Sequence, residues 1–390
     1  MPTATAPNLQ STPRPHSVWL QDCWYVIAWD HEIPTAGSAT LFTRTVLGVP
    51  VVVYRLAEAA QDGQKGHKKG QLVVLQDRCP HRQAPLSKGR LEGNNLRCGY
   101  HGLLFNPQGA CVEAPGIPIV PEKACVKTYP VAVQNNWVYV WLGDPALADP
   151  KLLPDAFSND HPDWHNKPGY MHYDTPYLLI CDNLLDFSHL SYVHAATLGG
   201  STAIAQATPQ IEKALDVYGL QNGIKVTRRV PNVPAPPFYQ RFRPFDEPLD
   251  RWFIYDFVVP GTLLMHSGGR PVSDAPEDLS RAVQLHSCQT LTPETATSTH
   301  YFFQQSHKMG QADAKGTGGR LDIAAAHAIT DSIFNSLVAA FNEDRDMISA
   351  QAANLDADAP MLPLAMDGAL LQFRRLMQIR KIAENERVIC

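Results

Sequence analysis

No stretch of the chain approaches the ~20 consecutive apolar residues that a membrane-crossing helix needs, so a helical integral membrane protein is excluded. Basic charge is not in excess. Lys and Arg total 33 against 38 Asp and Glu, a formal net charge of −5, and this rules out the electrostatic footprint of a nucleic-acid binder. The eight cysteines, at 23, 79, 98, 111, 125, 181, 288 and 390, show no framework spacing, which excludes a disulfide-stapled scaffold. Residues 1–17 lack an apolar signal core and read as a flexible tail. Reduced thiols and a cytoplasmic location are the expectation. The 44% hydrophobic and 18% charged shares are ordinary for a globular protein, and 390 residues suffice for two cores.

One pair of short segments stands out. Cys79-Pro80-His81 is followed, after sixteen residues, by Cys98-Gly99-Tyr100-His101. Each segment offers one thiolate and one imidazole. Replacing two thiolates of a [2Fe–2S] cluster by neutral imidazoles raises its potential to roughly −150 to +300 mV, the Rieske type of centre. A structural zinc ion could use the same four ligand types. Zinc knuckles, however, draw a Cys pair from one turn and a His pair from another. Here each loop mixes the two, as two irons with different ligands require.

Along the chain, Trp24–Trp29, Val49–Tyr54, Gln71–Leu75, Leu103–Phe105 and Trp137–Trp141 are aromatic and β-branched runs that read as strands. Residues 58–70 are polar and glycine-punctuated, a hairpin loop or insertion. His67 with Lys65, Lys68 and Lys69 there reads as a solvated face. The segment from Gly143 to Pro154 marks a boundary, giving expected domains of 18–145 and 146–390. Beyond it, residues 172–181, 211–230, 251–266, 281–292 and 297–309 carry the alternation of sheet strands.

A second constellation lies at Asp182-Asn183-Leu184-Leu185-Asp186-Phe187-Ser188-His189, continuing to His194. Two histidines and a carboxylate are the set that holds non-haem Fe(II) with positions left open for O2. On an ideal helix His189 and His194 diverge by about 140°. They converge on one ion only if the helix ends or distorts between them. The third ligand follows from phase. Ile333, Leu337, Phe341 and Ile348 form an apolar stripe; Asp344 falls on it, whereas Asp346 lies on roughly the opposite face. A buried carboxylate needs a metal or a charged partner. Asp344 is therefore the candidate ligand, with a salt bridge to a core arginine as the alternative.

From about residue 18 the chain resembles the oxygenase component of bacterial Rieske non-haem iron monooxygenases, in particular the vanillate O-demethylase and dicamba demethylase branch. The likeness rests on both cluster loops, the motif from Asp182 to His194, Pro234-Ala235-Pro236-Pro237-Phe238, Asp250-Arg251-Trp252 and Glu343-Asp344-Arg345-Asp346-Met347. Respiratory Rieske proteins add a cysteine to each loop; the matching positions here are Ala84 and Tyr100, so that clamp is impossible.

The resemblance implies an α+β protein: an N-terminal all-β [2Fe–2S] domain and a catalytic domain with a curved antiparallel sheet and helices, of the helix-grip type. It implies Cys79, His81, Cys98 and His101 as cluster ligands and His189, His194 and Asp344 as iron ligands. Asn183 and Asp186 become candidate catalytic residues, with Asp186 linking a cluster histidine to an iron histidine across a head-to-tail homotrimer. Electrons would come from NAD(P)H through a separate flavin- and ferredoxin-type reductase. O2 would then be used to oxidise a small aromatic carboxylic acid, with O-demethylation of a methoxybenzoate such as vanillate expected. Ring hydroxylation, cis-dihydroxylation and N-demethylation are the alternative reactions, and an electron-transfer or metal-stabilised binding protein is the non-enzymatic one. His266 and His286, on strand-like segments, are candidate substrate contacts. No arginine stands out in the sequence as a carboxylate clamp.

Overall fold

The structure is a computed structural model and describes residues 19–57, 70–308 and 323–389, apart from 196, 199, 200, 238, 243, 357, 360 and 361. The polar segment 58–69 and the tail 1–18 lie outside the described residues.

The tryptophan-rich runs of the N-terminal half pair with each other because each buries large rings on both faces. Trp24–Trp29 lies antiparallel to Trp137–Trp141, with Trp24 opposite Trp141 and Trp29 opposite Trp137, and every residue of both strands is buried. Val131–Gln134 completes that sheet. A second three-stranded sheet joins Phe42–Val46, Val49–Arg55 and Leu72–Gln76. A four-stranded one runs from Arg90–Glu92 to Cys111–Glu113. Among the described residues this half is all β apart from short 3-10 turns.

The C-terminal half is one eight-stranded antiparallel sheet. From its edge it runs Gln210–Leu215, Gln221–Val233, Leu249–Val258, Thr262–Pro271, Val283–Thr295 and Ser298–Lys308; Gly169–Tyr173 and Trp164–His165 pair with the last of these. Helices Tyr177–Leu185, Ile323–Asn354 and Gly368–Ile389 accompany it. The expected α+β fold is the one found. Segment 172–181 is the exception: only its first two residues are strand, and Tyr177 onward is helix. An apolar run of β-branched and aromatic residues does not distinguish a strand from a helix buried on most sides. Here Pro176 caps a helix with Tyr177, Leu179, Ile180, Cys181, Leu184 and Leu185 all buried.

The two halves share backbone hydrogen bonds. The N–H groups of Leu47 and Gly48 donate to the carbonyls of Pro293 and Glu294, both at 2.8 Å. Thr292 Oγ1 donates to the Val26 carbonyl at 2.6 Å, and the Trp29 indole to that of Gly169 at 2.9 Å. The last helix reaches back to the start of the first domain. Glu384 accepts from the Gln21 N–H at 2.9 Å, Lys381 donates to the Trp19 carbonyl at 2.7 Å, and Arg387 pairs with Asp22 at 2.7 Å. Among the described residues no helix is long and apolar enough to cross a membrane.

Candidate metal centres and the pocket beside them

The two cysteine–histidine loops share one backbone design. In each, the cysteine carbonyl accepts from the N–H four residues on: Gln83 to Cys79 at 2.8 Å, Gly102 to Cys98 at 3.1 Å. In each, the cysteine N–H donates to the carbonyl five residues on, Ala84 at 2.9 Å and Leu103 at 2.8 Å. Gln83 and Gly102 both take positive φ, 59° and 75°, to close these turns. A Cβ at Gly99 would sit 2.6 Å from the Lys88 carbonyl oxygen, so that position cannot carry a side chain without shifting backbone. Cys79 and Cys98 are buried, while His81 and His101 are exposed with ring centroids 4.6 Å apart. Burial pushes the Cys79 thiol pKa up, the thiol and side-chain contact with Cys98 adding to it.

Among the described residues, the single set of three whose ligand atoms all lie within 4.8 Å of one another is His189, His194 and Asp344.

The second set depends on a helix that stops at the right place. Helix Tyr177–Leu185 ends at Asp186, whose φ of −122° and ψ of 99° are extended, and the chain resumes as a 3-10 turn over Phe187–Ser191. That break turns His189 and His194 toward each other, with ring centroids 5.2 Å apart. The long helix supplies the third group. Ile333, Leu337, Phe341, Asp344 and Ile348 are all buried on one face of it, and the Asp346 side chain is 81% exposed on the other.

Every group in this set is oriented by a neighbour. His189 Nδ1–H donates to the Asp186 carbonyl, and His194 Nδ1–H donates to Glu343 Oε2 at 2.8 Å. Both rings are thereby left with an Nε2 lone pair facing Asp344 Oδ1, at 3.6 Å from His189 and 3.1 Å from His194. Asn183 Nδ2 donates to the same oxygen at 3.0 Å. Thr197 donates to Glu343 at 2.8 Å. Burial lowers the His189 pKa and outweighs the attraction of Asp344. At His194 burial pulls the same way, but Asp344 and Glu343 together overcome it and raise the pKa. The set fits a divalent iron: two neutral nitrogens, one carboxylate, and the remaining directions toward a pocket.

That pocket, a cavity of about 90 Å³, lies between the helices and the inner face of the sheet. Phe187, Leu190, Phe253, Leu285, Leu337 and Phe341 make most of its wall, with Asn183, Ser267, Gln289, Gln305 and Arg251 as polar points. Such a cavity, apolar with a few placed polar groups, is what a small aromatic ligand requires.

One expectation about the neighbouring residues changes, that for His266 and His286. Asp186 touches His189 through its carbonyl, while its carboxylate accepts from Ser188 N–H at 2.9 Å and Ser188 Oγ at 2.6 Å. His266 and His286 are not in the pocket. Met265, Ser267 and Leu285 face it, so strand alternation turns the two histidines to the opposite face. There they stack on one another at 4.8 Å, with Trp164 4.4 Å from His286. Burial lowers both pKa values, that of His286 to about 4.

Sequence reasoning missed Glu343, which adjoins the ligand candidate and orients His194. It also missed Arg228, buried, which donates to the carbonyls of Ile204 at 2.6 Å and Ala207 at 2.8 Å, and stands 3.9 Å from Asp186. Arg251 was noticed only as part of a tripeptide. Its guanidinium lies over the rings of Tyr239 and Phe253, at 5.0 and 5.2 Å.

Comparison with known proteins places both halves. Residues 23–130 match the Rieske [2Fe-2S] domain and residues 173–381 the vanillate O-demethylase oxygenase C-terminal domain. The chain is 42% identical to the toluene-4-sulfonate monooxygenase system iron-sulfur subunit of Comamonas testosteroni, over 94% of this chain and 99% of that one. It is 31% identical to a vanillate O-demethylase oxygenase subunit of a Pseudomonas species, over 80% and 92% of the two chains. The crystal structure of dicamba monooxygenase bound to 3,6-dichlorosalicylic acid superposes with a TM-score of 0.77 at 27% identity, covering 94% of this chain and 98% of that one.

Proposed function

Since the chain belongs to the Rieske non-haem iron oxygenases with a vanillate O-demethylase-type C-terminal domain, and is the oxygenase component of a monooxygenase system, we propose that it oxidises a methyl-type carbon of a small aromatic acid. O-demethylation of a methoxybenzoate such as vanillate is the reaction we favour. The observation that carries this reading is the convergence of His189, His194 and Asp344 on the rim of an apolar, aromatic-sized pocket.

The family's cofactors are a Rieske [2Fe–2S] cluster and a mononuclear non-haem iron, reduced by NAD(P)H through a reductase. We assign the cluster to Cys79, His81, Cys98 and His101 and the iron to His189, His194 and Asp344. Iron reduced through the cluster supplies activation of O2. The chain's own groups do the rest. Asp186 and Glu343 fix the tautomers of the two histidines, Asn183 holds the carboxylate, and the phenylalanine and leucine wall excludes water. The balance is one O2, one NADH and one proton consumed per methoxyl group. The products are a phenol, formaldehyde from the collapsing hemiacetal, NAD+ and water.

Assembly as a head-to-tail homotrimer belongs to the same proposal, as does the division at 145/146. Exposure of His81 and His101 on the single chain supports the first, leaving the cluster's histidine side free for a neighbour. Pairing of Trp137–Trp141 with Trp24–Trp29 supports the second.

A second reading is hydroxylation of an aryl methyl group, favoured by the 42% identity to the toluene-4-sulfonate monooxygenase subunit. A panel of methoxybenzoates, toluates and toluenesulfonates, run with a matching reductase and scored for formaldehyde and NADH together, separates the two. Formaldehyde from a methoxybenzoate supports demethylation; NADH use confined to methyl arenes, yielding benzyl alcohols, replaces it.

A further inference from the structure

Arg251 is 6% exposed, and among the described residues its guanidinium has no hydrogen-bond or ion-pair partner; its Nε is buried without one. Its neighbour in sequence offers no help. Asp250 points to the other side of the strand, where it pairs with Arg270 at 2.8 Å and accepts from Asn232 N–H at 3.0 Å. Removing a guanidinium from water without a counter-charge is costly, and buried charges are accordingly paired. Among the described residues no counter-charge is assigned to it.

Geometry says where a counter-charge would sit. Tyr239 and Phe253 cover the guanidinium at 5.0 and 5.2 Å, so the side chain is held against the wall of the pocket. Gly269, opposite Arg251 in the ladder, leaves the room for this: a Cβ there would lie 2.8 Å from the Tyr239 ring. With rings over the guanidinium, its in-plane N–H edge is the outlet for hydrogen bonding, and that edge fits two oxygens of one planar or tetrahedral oxyanion. Ser267, paired with Phe253, offers a hydroxyl on the same face.

We propose that Arg251 is the anion-binding residue of the pocket and that the substrate is an aryl sulfonate or carboxylate whose charged group docks on it while the ring extends toward His189, His194 and Asp344. This rests on the oxygenase reading of the site. It restricts the substrate class: a neutral aromatic would leave the guanidinium unpaired.

Equilibrium binding to the holoprotein, cluster oxidised and no reductase present, tests it without turnover. The probes are 4-toluenesulfonate and 4-methylbenzoate, each against its neutral isostere, 4-toluenesulfonamide and 4-methylbenzamide. The wild type should bind at least one anion roughly 100-fold more tightly than its amide, the scale for a buried hydrogen-bonded charge pair. Comparing the two anions identifies the headgroup. Arg251→Met keeps the packing volume and should abolish the preference, with amide affinity changed by less than about threefold. Arg251→Lys keeps the charge without the fork and should retain part of it. Equal binding of anions and amides by the wild type, or a preference surviving in Arg251→Met, overturns the proposal. Should the methionine variant lose its cluster absorbance, the wild-type ratio and the lysine variant decide. Failure of the oxygenase reading would show elsewhere, as missing substrate-dependent O2 uptake in the reconstituted system, with anion selectivity still measurable.

Discussion

Replacing Asn183 by leucine should loosen iron while leaving the iron–sulfur cluster untouched. Asn183 Nδ2 donates to Asp344 Oδ1 at 3.0 Å, and Asp344 is 5% exposed, so this amide is a fixed brace on a nearly dry carboxylate. Leucine keeps a branched side chain of similar reach but has no donor. Loss of a partner that orients a metal ligand typically weakens metal binding roughly 10- to 100-fold, or about 1.4–2.7 kcal/mol. That agrees with the ~1.5–3 kcal/mol of a hydrogen bond to a charged group. The assay is an anaerobic Fe(II) titration of protein stripped of its mononuclear iron, with acid-labile sulfide measured in parallel. The expected result is a Kd raised by one to two orders of magnitude at unchanged sulfide content. An unaltered Kd would show that Asp344 needs no brace and that Asn183 merely fills space.

Asp344→Ala should empty the iron site, whereas Asp346→Ala, altering a side chain 81% exposed, should not; iron content of the two proteins decides. Asp186→Asn should keep both metals, because His189 is held by the backbone carbonyl, yet lose most turnover if the carboxylate couples the two centres in the assembly; metal analysis beside steady-state rates checks this. Acid should destabilise the protein through His300 and His307. Burial, aided by Arg44 at the first and His165 at the second, lowers both pKa values to about 4. Below an unfolded value near 6.5 the unfolded chain takes protons that the fold refuses, so stability present above pH ~6.5 is lost progressively toward pH ~4, on the order of 3 kcal/mol apiece. A His300→Gln, His307→Gln protein should show a flatter Tm profile across that window.

Local features survived translation from sequence to structure best. The cluster loops were legible because all four candidate ligands lie within short turns whose glycines and proline sit beside them. Asp344 was legible because a long helix keeps its phase, so counting from Phe341 to Ile348 is enough to separate it from Asp346. Features set across strands were not. The inward or outward sense of His266 depends on register with Leu285 and Ser267, and a one-residue shift reverses it. Arg251 acquires its meaning from Tyr239 and Gly269, partners that no spacing in the chain connects to it. Tyr177–Cys181, expected as strand, is helix, because burial on most faces erases the periodicity that distinguishes one.

The clasp between Trp19–Asp22 and the final helix has a consequence for how the chain is assembled during synthesis. The Gln21 N–H and the Glu384 carboxylate that receives it are 363 positions apart. The tryptophan sheet can close as soon as Trp137–Trp141 has emerged, but the lead-in to its first strand waits for the last helix to be translated. Until then Cys23, Trp19 and Leu20, all buried in the finished protein, lack their cover. A nascent chain stalled short of Gly368 would therefore present its flaw at the opposite terminus, in the iron–sulfur half, rather than beside the missing residues.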